Sequence, residues 1–370
     1  MPAPPRAGRA VAVLAVVLLL AGCAAGLLTG CAAGPVAGAG GPRAGAPPTP
    51  AAPAAPTVVD PAPVGPAQPG EPGASATPGC PRPATVTVHD PGELTAALAR
   101  PAPGAVIELA DGSYPGGFTA SARADPAHPI VLCGGRGAEL DGDGQPFALH
   151  LDGAAHWLLV GFAVRGGQQG VLIDGGRGDV LDGLAITHAD EQALHLRADS
   201  TDNVVRGTVV SDTGLERPET GVGIEVGSPA AEWGHYTGGR PDASDRNLIE
   251  HVTVSRTTAA PLDIREGTTG GTVWESSFAG PSEQALAWVS VKGNGWRIVG
   301  NSGRRSAQDG FAVDQGLAGW GLDNEFEKNS AEVDGPGYGI NVSTNQDRTR
   351  VSCDNEAEGA AKGLTNVGCG

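Results

Sequence analysis

The sequence predicts an all-β fold, a right-handed parallel β-helix solenoid with a short N-terminal capping helix. Short alternating apolar strands recur after residue 84, divided by Gly, Asn and Asp and without any long helical period. Their apolar pairs begin 22 to 38 residues apart, a period at which each coil must bury its apolar side chains against its neighbours. A sandwich or a propeller is the alternative, but a propeller blade needs a period of about 40 residues.

Residues 1–31 are predicted to be a lipoprotein signal-peptide region. The apolar run Ala10–Gly22 follows two arginines and is shorter than a membrane span needs. It ends in "LAGC" at Cys23, which resembles the lipobox of bacterial lipoproteins, and a second copy, "LTGC", ends at Cys31. Either cysteine is a candidate for lipidation, and an ordinary secretory signal is the alternative. We therefore expect an extracellular, cell-surface lipoprotein anchored to the plasma membrane.

The remainder divides into a tether and a folded domain. Residues 32–83 are almost wholly Ala, Pro and Gly, so they cannot bury enough surface to offset the entropy of ordering, and they predict a disordered tether. Residues 84–370 are predicted to form the β-helix domain. An exported protein can form disulfides, and proximity along the chain suggests two of them. The expected pairs are Cys80 with Cys133 and Cys353 with Cys369.

The net charge of the chain limits the classes of molecule that it can bind. The net charge is −17, from 24 basic and 41 acidic residues, which argues against nucleic acid. It also opposes long-range attraction of a polyanion, so an acidic polymer would need a local basic cluster or a bound divalent cation. We expect an acidic polysaccharide as partner, contact with the membrane only through the lipid anchor, and a monomer.

The elements of the domain follow in order. Asp90, Pro91 and Glu93 stand where the N-cap, first-turn proline and third-position carboxylate of a short helix would be. A ladder of inward apolar pairs follows: Leu149 and Leu151, Val171 and Ile173, Leu194 and Leu196, Ile224 and Val226, Leu262 and Ile264, Val289 and Val291, Phe311 and Val313, Ile340 and Val342. A second type of strand begins at Asn203, Asn247, Gly271 and Trp296. An insertion, residues 228–246, interrupts one interval.

Residues between and after the inward pairs point away from the core, because side chains alternate along a strand. Parallel stacking then places them in two outward columns. The first column is His150, Leu172, His195, Glu225, Asp263, Ser290, Ala312 and Asn341. The second column is Asp152, Asp174, Arg197, Gly227, Arg265, Lys292, Asp314 and Ser343. Four charged residues should lie within about two strand spacings of one another: Glu225, Asp263, Arg265 and Lys292.

This charged patch has the residue types that β-elimination of an acidic sugar polymer requires. The reaction removes a proton next to a carboxylate, so a cation must neutralise the carboxylate and a base must face the proton. Arg265 offers a permanent forked charge, whereas Lys292 serves as base only if burial or a neighbouring cation favours its neutral form. Glu225, Asp263 and Glu266 are candidate ligands for Ca²⁺. The alternative is cross-strand ion pairs, each contributing under about 1 kcal/mol.

The insertion carries candidate substrate-binding residues. Trp233, His235 and Tyr236 suit the apolar faces of sugar rings, and a loop folded back on its own aromatics is an equal alternative. Arg197 and His195 are expected to contact substrate as well, although His195 also fits a surface histidine.

The stretch "ELTAALARPAPGAVIELADGSYPGGF" and the later "HPIVLCG", within Glu93–Gly134, resemble the N-terminal region of the chondroitinase B and alginate lyase family. That region has a short capping helix, a "PGD-I-L-DG-Y" strand and turn, and a "PI-L-G" strand. From about Ala84 to Gly370 the layout resembles the pectin-lyase-like right-handed β-helix superfamily. It also resembles uncharacterised exported actinobacterial β-helix proteins.

The resemblance implies a lyase in which a lysine and an arginine on adjacent coils act as base and carboxylate neutraliser, beside Ca²⁺ held by Asn and Glu. Carried over, the two cations fall at Arg265 and Lys292, with Glu225 and Asp263 near the metal. Their order is reversed here, and the asparagine and paired glutamates of the family have no clear counterparts.

The predicted function is binding of a uronate-containing polysaccharide, with cleavage by β-elimination. The alternative is a non-catalytic surface module for carbohydrate binding or adhesion. Hydrolysis by paired carboxylates ranks last, because Asp152 and Asp174 occupy consecutive coils without a second Asp pair beside them.

Overall fold

A computed structural model describes residues 79–280 and 285–370. The signal-peptide region, Cys23, Cys31 and nearly all of the tether lie outside the described residues. Within the described residues, no helix has both the length and the apolar character needed to cross a membrane.

The regular elements of the described chain are almost all short strands. The first half contains β1 (Val86–Val88), helix α1 (Pro91–Ala99), β2 (Val106–Leu109), β3 (Gly112–Pro115), β4 (Phe118–Ala120), β5 (Ile130–Gly134), β6 (Ala138–Asp141), β7 (Phe147–Asp152), β8 (Trp157–Val160), β9 (Ala163–Arg165), β10 (Gln169–Asp174), β11 (Val180–Asp182), β12 (Ala185–Ala189), β13 (Leu194–Arg197), β14 (Val204–Arg206) and β15 (Val209–Thr213). The second half contains a 3₁₀ turn (Pro218–Thr220), β16 (Ile224–Val226), a 3₁₀ turn (Ala230–Glu232), helix α2 (Trp233–Tyr236), β17 (Leu248–Glu250), β18 (Thr253–Thr257), β19 (Leu262–Ile264), β20 (Thr272–Trp274), β21 (Ser277–Ala279), β22 (Val289–Val291), β23 (Arg297–Val299), β24 (Ser302–Arg304), β25 (Phe311–Val313), β26 (Glu325–Glu327), β27 (Ser330–Gly335), β28 (Ile340–Val342), β29 (Arg350–Val351) and β30 (Glu356–Ala360).

From β2 onward, successive strands join three parallel sheets in turn, so each complete coil contributes one strand to each sheet. Sheet A has the order β1-β2-β5-β8-β11-β14-β17-β20-β23-β26-β29. Sheet B has the order β3-β6-β9-β12-β15-β18-β21-β24-β27-β30, and sheet C has the order β4-β7-β10-β13-β16-β19-β22-β25-β28. One apolar core, from Val88 to Val351, runs through the coils. The predicted all-β solenoid is confirmed.

The ladder of inward pairs is the register of sheet C. Its first members pair in the predicted order: Leu149, Val171, Leu194, Ile224, Leu262, Val289, Phe311 and Ile340. Every residue of the ladder is buried. Because each coil offers its apolar residues at the same phase, the parallel register that buries one pair buries them all.

The second type of strand divides into two. Each such segment leaves sheet A through a turn and enters sheet B, as β14 and β15 do on either side of Gly207. The turn residue has a positive φ in all four segments: Gly207 at 56°, His251 at 53°, Glu275 at 44° and Gly300 at 67°. A left-handed residue ends the extended conformation, so one strand cannot continue through it and a third sheet forms.

Helix α1 packs on the first coil, where it contacts β1 and β4. Asp90 Oδ1 accepts hydrogen bonds from the N–H groups of Gly92 and Glu93 at 2.8 and 2.9 Å. These bonds satisfy backbone donors that have no partner inside the helix. Leu94 and Leu98 face the core and are buried.

Both expected disulfides are present. The Cys80–Cys133 bond links the segment ahead of β1 to β5 in sheet A. The Cys353–Cys369 bond links the residues after β29 to the C-terminal segment. Each bond therefore fastens one end of the described solenoid.

Candidate active site

The two outward columns form the outer face of sheet C. Asp152, Asp174 and Arg197 are direct neighbours on β7, β10 and β13. In the first column, His195 pairs with Glu225, which pairs with Asp263. The predicted alignment of the columns is confirmed, and it brings Glu225, Asp263, Arg265 and Lys292 together on this face.

Two cations share one carboxylate at the centre of this face. Arg265 donates from Nε to Glu225 Oε1 at 2.5 Å, and its Nη2 lies 3.2 Å from Asp263 Oδ2. Lys292 Nζ donates to the other oxygen of Asp263, Oδ1. The carboxylate side chains are only 2% and 9% exposed for Glu225 and Asp263, whereas Arg265 is 24% and Lys292 17% exposed. The cations therefore form the solvent-facing layer, with the anions beneath them.

Opposite charges keep Asp263 and Arg265 ionised. Burial by itself would raise the pKa of Asp263, but the charges of Lys292 and Arg265 more than offset burial, so that the pKa lies below its ordinary value. Burial would lower the pKa of Arg265, yet the nearby Asp263 and Glu225 carboxylates raise it. Arg265 is thus a permanent cation.

A hydrogen-bonded chain continues from Lys292 toward the C-terminal coils. Lys292 Nζ donates to Ser290 Oγ at 3.0 Å, and Ser290 Oγ donates to Asp314 Oδ2 at 3.0 Å. The sequence interpretation did not assign a role to Ser290 or Asp314. Their places in the two columns, one coil or less from Lys292, were the signal that could have identified them.

Two adjoining cavities open on this face and share Arg265. The larger, about 330 Å³, is lined by Asp263, Arg265, Ser290, Lys292 and Asp314, among others. The smaller, about 160 Å³, is bordered by His195, Arg197, Glu225, Tyr236 and Arg265, among others. We call the two together the cleft. It lies across several strands, as an extended polymer would require.

His195 is not a surface histidine, because its side chain is only 3% exposed. Its Nε2 lies 2.9 Å from the carbonyl oxygen of Gly227 and 3.8 Å from Glu225 Oε2. A carbonyl only accepts, so Nε2 carries a proton. Within the described part of the chain Nδ1 has no hydrogen-bond partner. His195 supports the floor of the smaller cavity from below.

The insertion folds partly onto its own aromatic side chains. Trp233 is only 8% exposed, donates from Nε1 to the Ser228 carbonyl oxygen at 3.0 Å, and meets the edge of Trp320. Trp233 is therefore packed inside the loop and does not offer an exposed ring to a sugar. His235 is exposed, and Tyr236 is partly exposed with its ring 4.6 Å from that of His235.

Arg197 connects the insertion to sheet C. Its guanidinium lies 4.1 Å from the centre of the Tyr236 ring, and Nη1 donates to the Tyr236 hydroxyl at 2.8 Å. On the other side, Nε donates to Asp174 Oδ1 at 2.7 Å, and His150 Nε2 lies 3.0 Å from Asp174 Oδ2.

These contacts bear on the hydrolysis alternative. Burial would raise the pKa of Asp174, but hydrogen bonds from His150 and Arg197 lower it to about 2. Asp174 is therefore ionised at neutral pH and does not supply the protonated carboxylic acid that a glycosidase pair requires.

The three expected calcium ligands are already engaged. Glu225 accepts from Arg265 and, through Oε2, from Gln192 Nε2 at 2.8 Å. Asp263 faces two cations, and Glu266 Oε1 accepts from the N–H of Ala230 at 2.9 Å. Across residues 79–280 and 285–370, no three His, Cys, Asp or Glu side chains form a group able to hold a metal ion. The donor set does not fit Ca²⁺.

Two solved structures to which this chain is similar are polysaccharide lyases. The chain is 29% identical to an alginate lyase from Paenibacillus sp. str. FPU-7, with a TM-score of 0.69, over 76% of this chain and 97% of that one. A mannuronic acid specific polysaccharide family 6 lyase from human gut microbiota shares the fold at 14% identity and a TM-score of 0.56, over 75% and 66% of the two chains. No protein-family model and no curated protein matches the chain. The resemblance to lyase-like β-helix proteins is confirmed.

Proposed function

We propose that the protein binds a uronate-containing polysaccharide in the cleft and cleaves it by β-elimination. The observation that carries this proposal is the position of Arg265 and Lys292, which lie on adjacent coils, share Asp263 and line the same cavity. The similarity to an alginate lyase, at 29% identity over nearly all of that chain, supports the same class of substrate.

In the proposed reaction, Arg265 binds the substrate carboxylate and stabilises the negative charge that develops on it when the neighbouring C–H proton leaves. Lys292 first releases its ammonium proton to solvent and, as the neutral amine, then takes the C–H proton. The electron pair of the broken C–H bond forms a C=C bond, and the bond to the glycosidic oxygen breaks. The departing oxygen then accepts a proton from the Lys292 ammonium, which returns to the neutral amine, so the products are a shortened polymer and an unsaturated uronate end.

The next sugar unit is proposed to lie in the smaller cavity. Arg197 and Arg265 occupy the same column with only Gly227 between them, so their strands are about 10 Å apart. The guanidinium of Arg197 and the ring of Tyr236 can together meet a carboxylate and a sugar face.

The proposed location is the outside of the plasma membrane, with Cys23 or Cys31 lipidated and the Ala/Pro/Gly-rich segment as tether. The support for this is the sequence pattern. Mass spectrometry of the processed N-terminus tests it, because a diacylated cysteine supports the anchor and an unmodified N-terminus contradicts it.

The decisive assay follows the ultraviolet absorbance of unsaturated uronate while the protein is incubated with alginate, pectate or chondroitin. We expect product from at least one polymer, and a loss of kcat of at least about 100-fold in Lys292→Met. Lys328→Met is the matched control, because Lys328 is exposed on the turn between sheets A and B and is not part of the cleft.

If every polymer is bound but none yields unsaturated product, the protein is a carbohydrate-binding module and the lyase proposal fails. If product forms equally in Lys292→Met and in wild type, Lys292 is not the base.

A further inference from the structure

The cluster at the centre of the cleft is balanced in charge without any added ion. It contains two buried carboxylates, Glu225 and Asp263, and two cations, Arg265 and Lys292. Calcium is held by several hard, negatively charged oxygen ligands that face the ion. Here the oxygens of Glu225 and Asp263 that point into the cluster face nitrogen donors, so an ion could bind them only by displacing Arg265 or Lys292.

Asp263 contacts both residues to which the proposed reaction assigns a role, Arg265 and Lys292. Its backbone lies on β19, between the inward residues Leu262 and Ile264, which are both fully buried. One oxygen meets Lys292 and the other meets Arg265. A carboxylate held from both flanks in this way fixes the separation of its two partners.

Arg265 also keeps donors for a substrate. A guanidinium has five N–H groups, and the contacts to Glu225 and Asp263 use Nε and Nη2. Its side chain is the most exposed of the four members of the cluster. A substrate carboxylate can therefore bind to Arg265 while the two buried carboxylates stay in place.

We infer that Asp263 is a positioning residue that holds Arg265 and Lys292 for catalysis, and that this site works without a divalent cation because Arg265 supplies the charge. The inference rests on the proposed function for its catalytic half. The part about the divalent cation does not rest on the proposed function, because it can be tested without a substrate.

The metal half is tested by calorimetric titration of Ca²⁺ into the chelator-treated full chain, together with thermal unfolding in Ca²⁺ and in EDTA. We expect no ion bound at the cluster, and a Tm that Ca²⁺ does not raise through it. Saturable binding that Asp263→Asn or Glu225→Gln abolishes would overturn the inference. Binding that survives both substitutions lies elsewhere and leaves the cluster free of metal, as inferred.

The positioning half is tested in Asp263→Asn with the polymer that the wild type cleaves. We expect kcat to fall by about 10- to 100-fold because the two cations lose their common partner. KM should stay the same or fall, because one negative charge near an anionic substrate is gone. Equal kcat in variant and wild type, or a rise in KM that accounts for the whole loss, would contradict the role.

Asp323→Asn is the matched control, because Asp323 is an exposed carboxylate that pairs with Arg348 and lines neither cavity of the cleft. We expect it to leave kcat and KM unchanged.

The failure of the proposed function is distinguishable from the failure of this inference. If the wild type cleaves no polymer, calorimetry still decides the metal half. The ammonium protons of Lys292, observed by NMR in ¹⁵N-labelled protein, then decide the positioning half. Slow exchange with water that is lost in Asp263→Asn supports the role, and exchange that is equally fast in both proteins contradicts it.

Discussion

Replacing Asp179 by asparagine should stabilise the protein at about pH 8 and change its stability little at about pH 3. Asp179 is fully buried just ahead of β11. Its Oδ1 accepts a hydrogen bond from the N–H of Trp157 at 2.8 Å, whereas Oδ2 has no hydrogen-bond partner within the described residues. Burial raises the pKa of Asp179 to about 7, against the opposing effect of the bond from Trp157.

The magnitude follows from the difference between the folded and unfolded pKa. A rise from 3.8 to about 7 is about 3 units, which at about 1.36 kcal/mol per unit gives an upper limit of about 4 kcal/mol. Because the folded pKa is the higher one, the protonated carboxyl favours folding below about pH 4, and this contribution is lost as the pH rises through about 7. With relaxation of the surroundings we expect a gain of about 2 kcal/mol for Asp179→Asn at about pH 8, or about 4 to 8 °C in Tm.

Asparagine already occupies the same place on the next two coils. Asn203 Oδ1 accepts from the N–H of Asp179 at 2.9 Å, and Asn247 Oδ1 accepts from the N–H of Asn203 at 3.0 Å. The side-chain amide of Asn203 donates to the Gly176 carbonyl oxygen at 3.3 Å. An asparagine at position 179 can continue this ladder with its amide directed at the preceding coil. Asn203→Asp is the matched reverse change and should destabilise the protein at about pH 8.

Urea unfolding of wild type, Asp179→Asn and Asn203→Asp at about pH 3 and pH 8 provides the measurement. If Asp179→Asn is no more stable than wild type at the higher pH, or if its free energy of unfolding rises equally at both pH values, ionisation of the buried Asp179 carboxyl does not destabilise the fold.

Two further changes test the face of sheet C. Gly227 has a φ of 82°, and a Cβ there would lie 2.5 Å from Thr268 Cγ2 and 3.3 Å from Arg265 Cβ. Gly227→Ala should therefore lower stability by at least about 1 kcal/mol and, by displacing Arg265, reduce kcat; an unchanged Tm in a calorimetric scan would refute the contact. Asp174 has a pKa lowered to about 2, so its ionised form stabilises the fold above about pH 4 and this contribution is lost as the pH falls toward 2. Asp174→Asn should cost up to about 2 kcal/mol at about pH 7 and progressively less toward about pH 3 in denaturant titrations, whereas a constant difference would contradict the sign.

The sequence alone was enough to determine the solenoid and the columns of sheet C. Leu262 and Ile264 recur in phase with the pairs on the other coils, and in a parallel stack the residue between them, Asp263, must then face outward beside Glu225. Because alternation and register are properties of the strand itself, they could be read without knowing what covers the sheet. The third sheet was missed, since a positive φ at a residue such as His251 or Glu275 leaves little trace in composition.

Only the tertiary structure decided what each side chain does on that face. Trp233 turned inward because the insertion packs it against Trp320, and His195 is buried with its Nε2 2.9 Å from the carbonyl oxygen of Gly227. Of the three carboxylates predicted as metal ligands, Glu225 and Asp263 pair with Arg265 and Lys292, and Glu266 accepts a hydrogen bond from the N–H of Ala230. Burial and ion pairing depend on distances between distant segments of the chain and on the local solvent, and neither quantity is encoded in the spacing of residues along one strand.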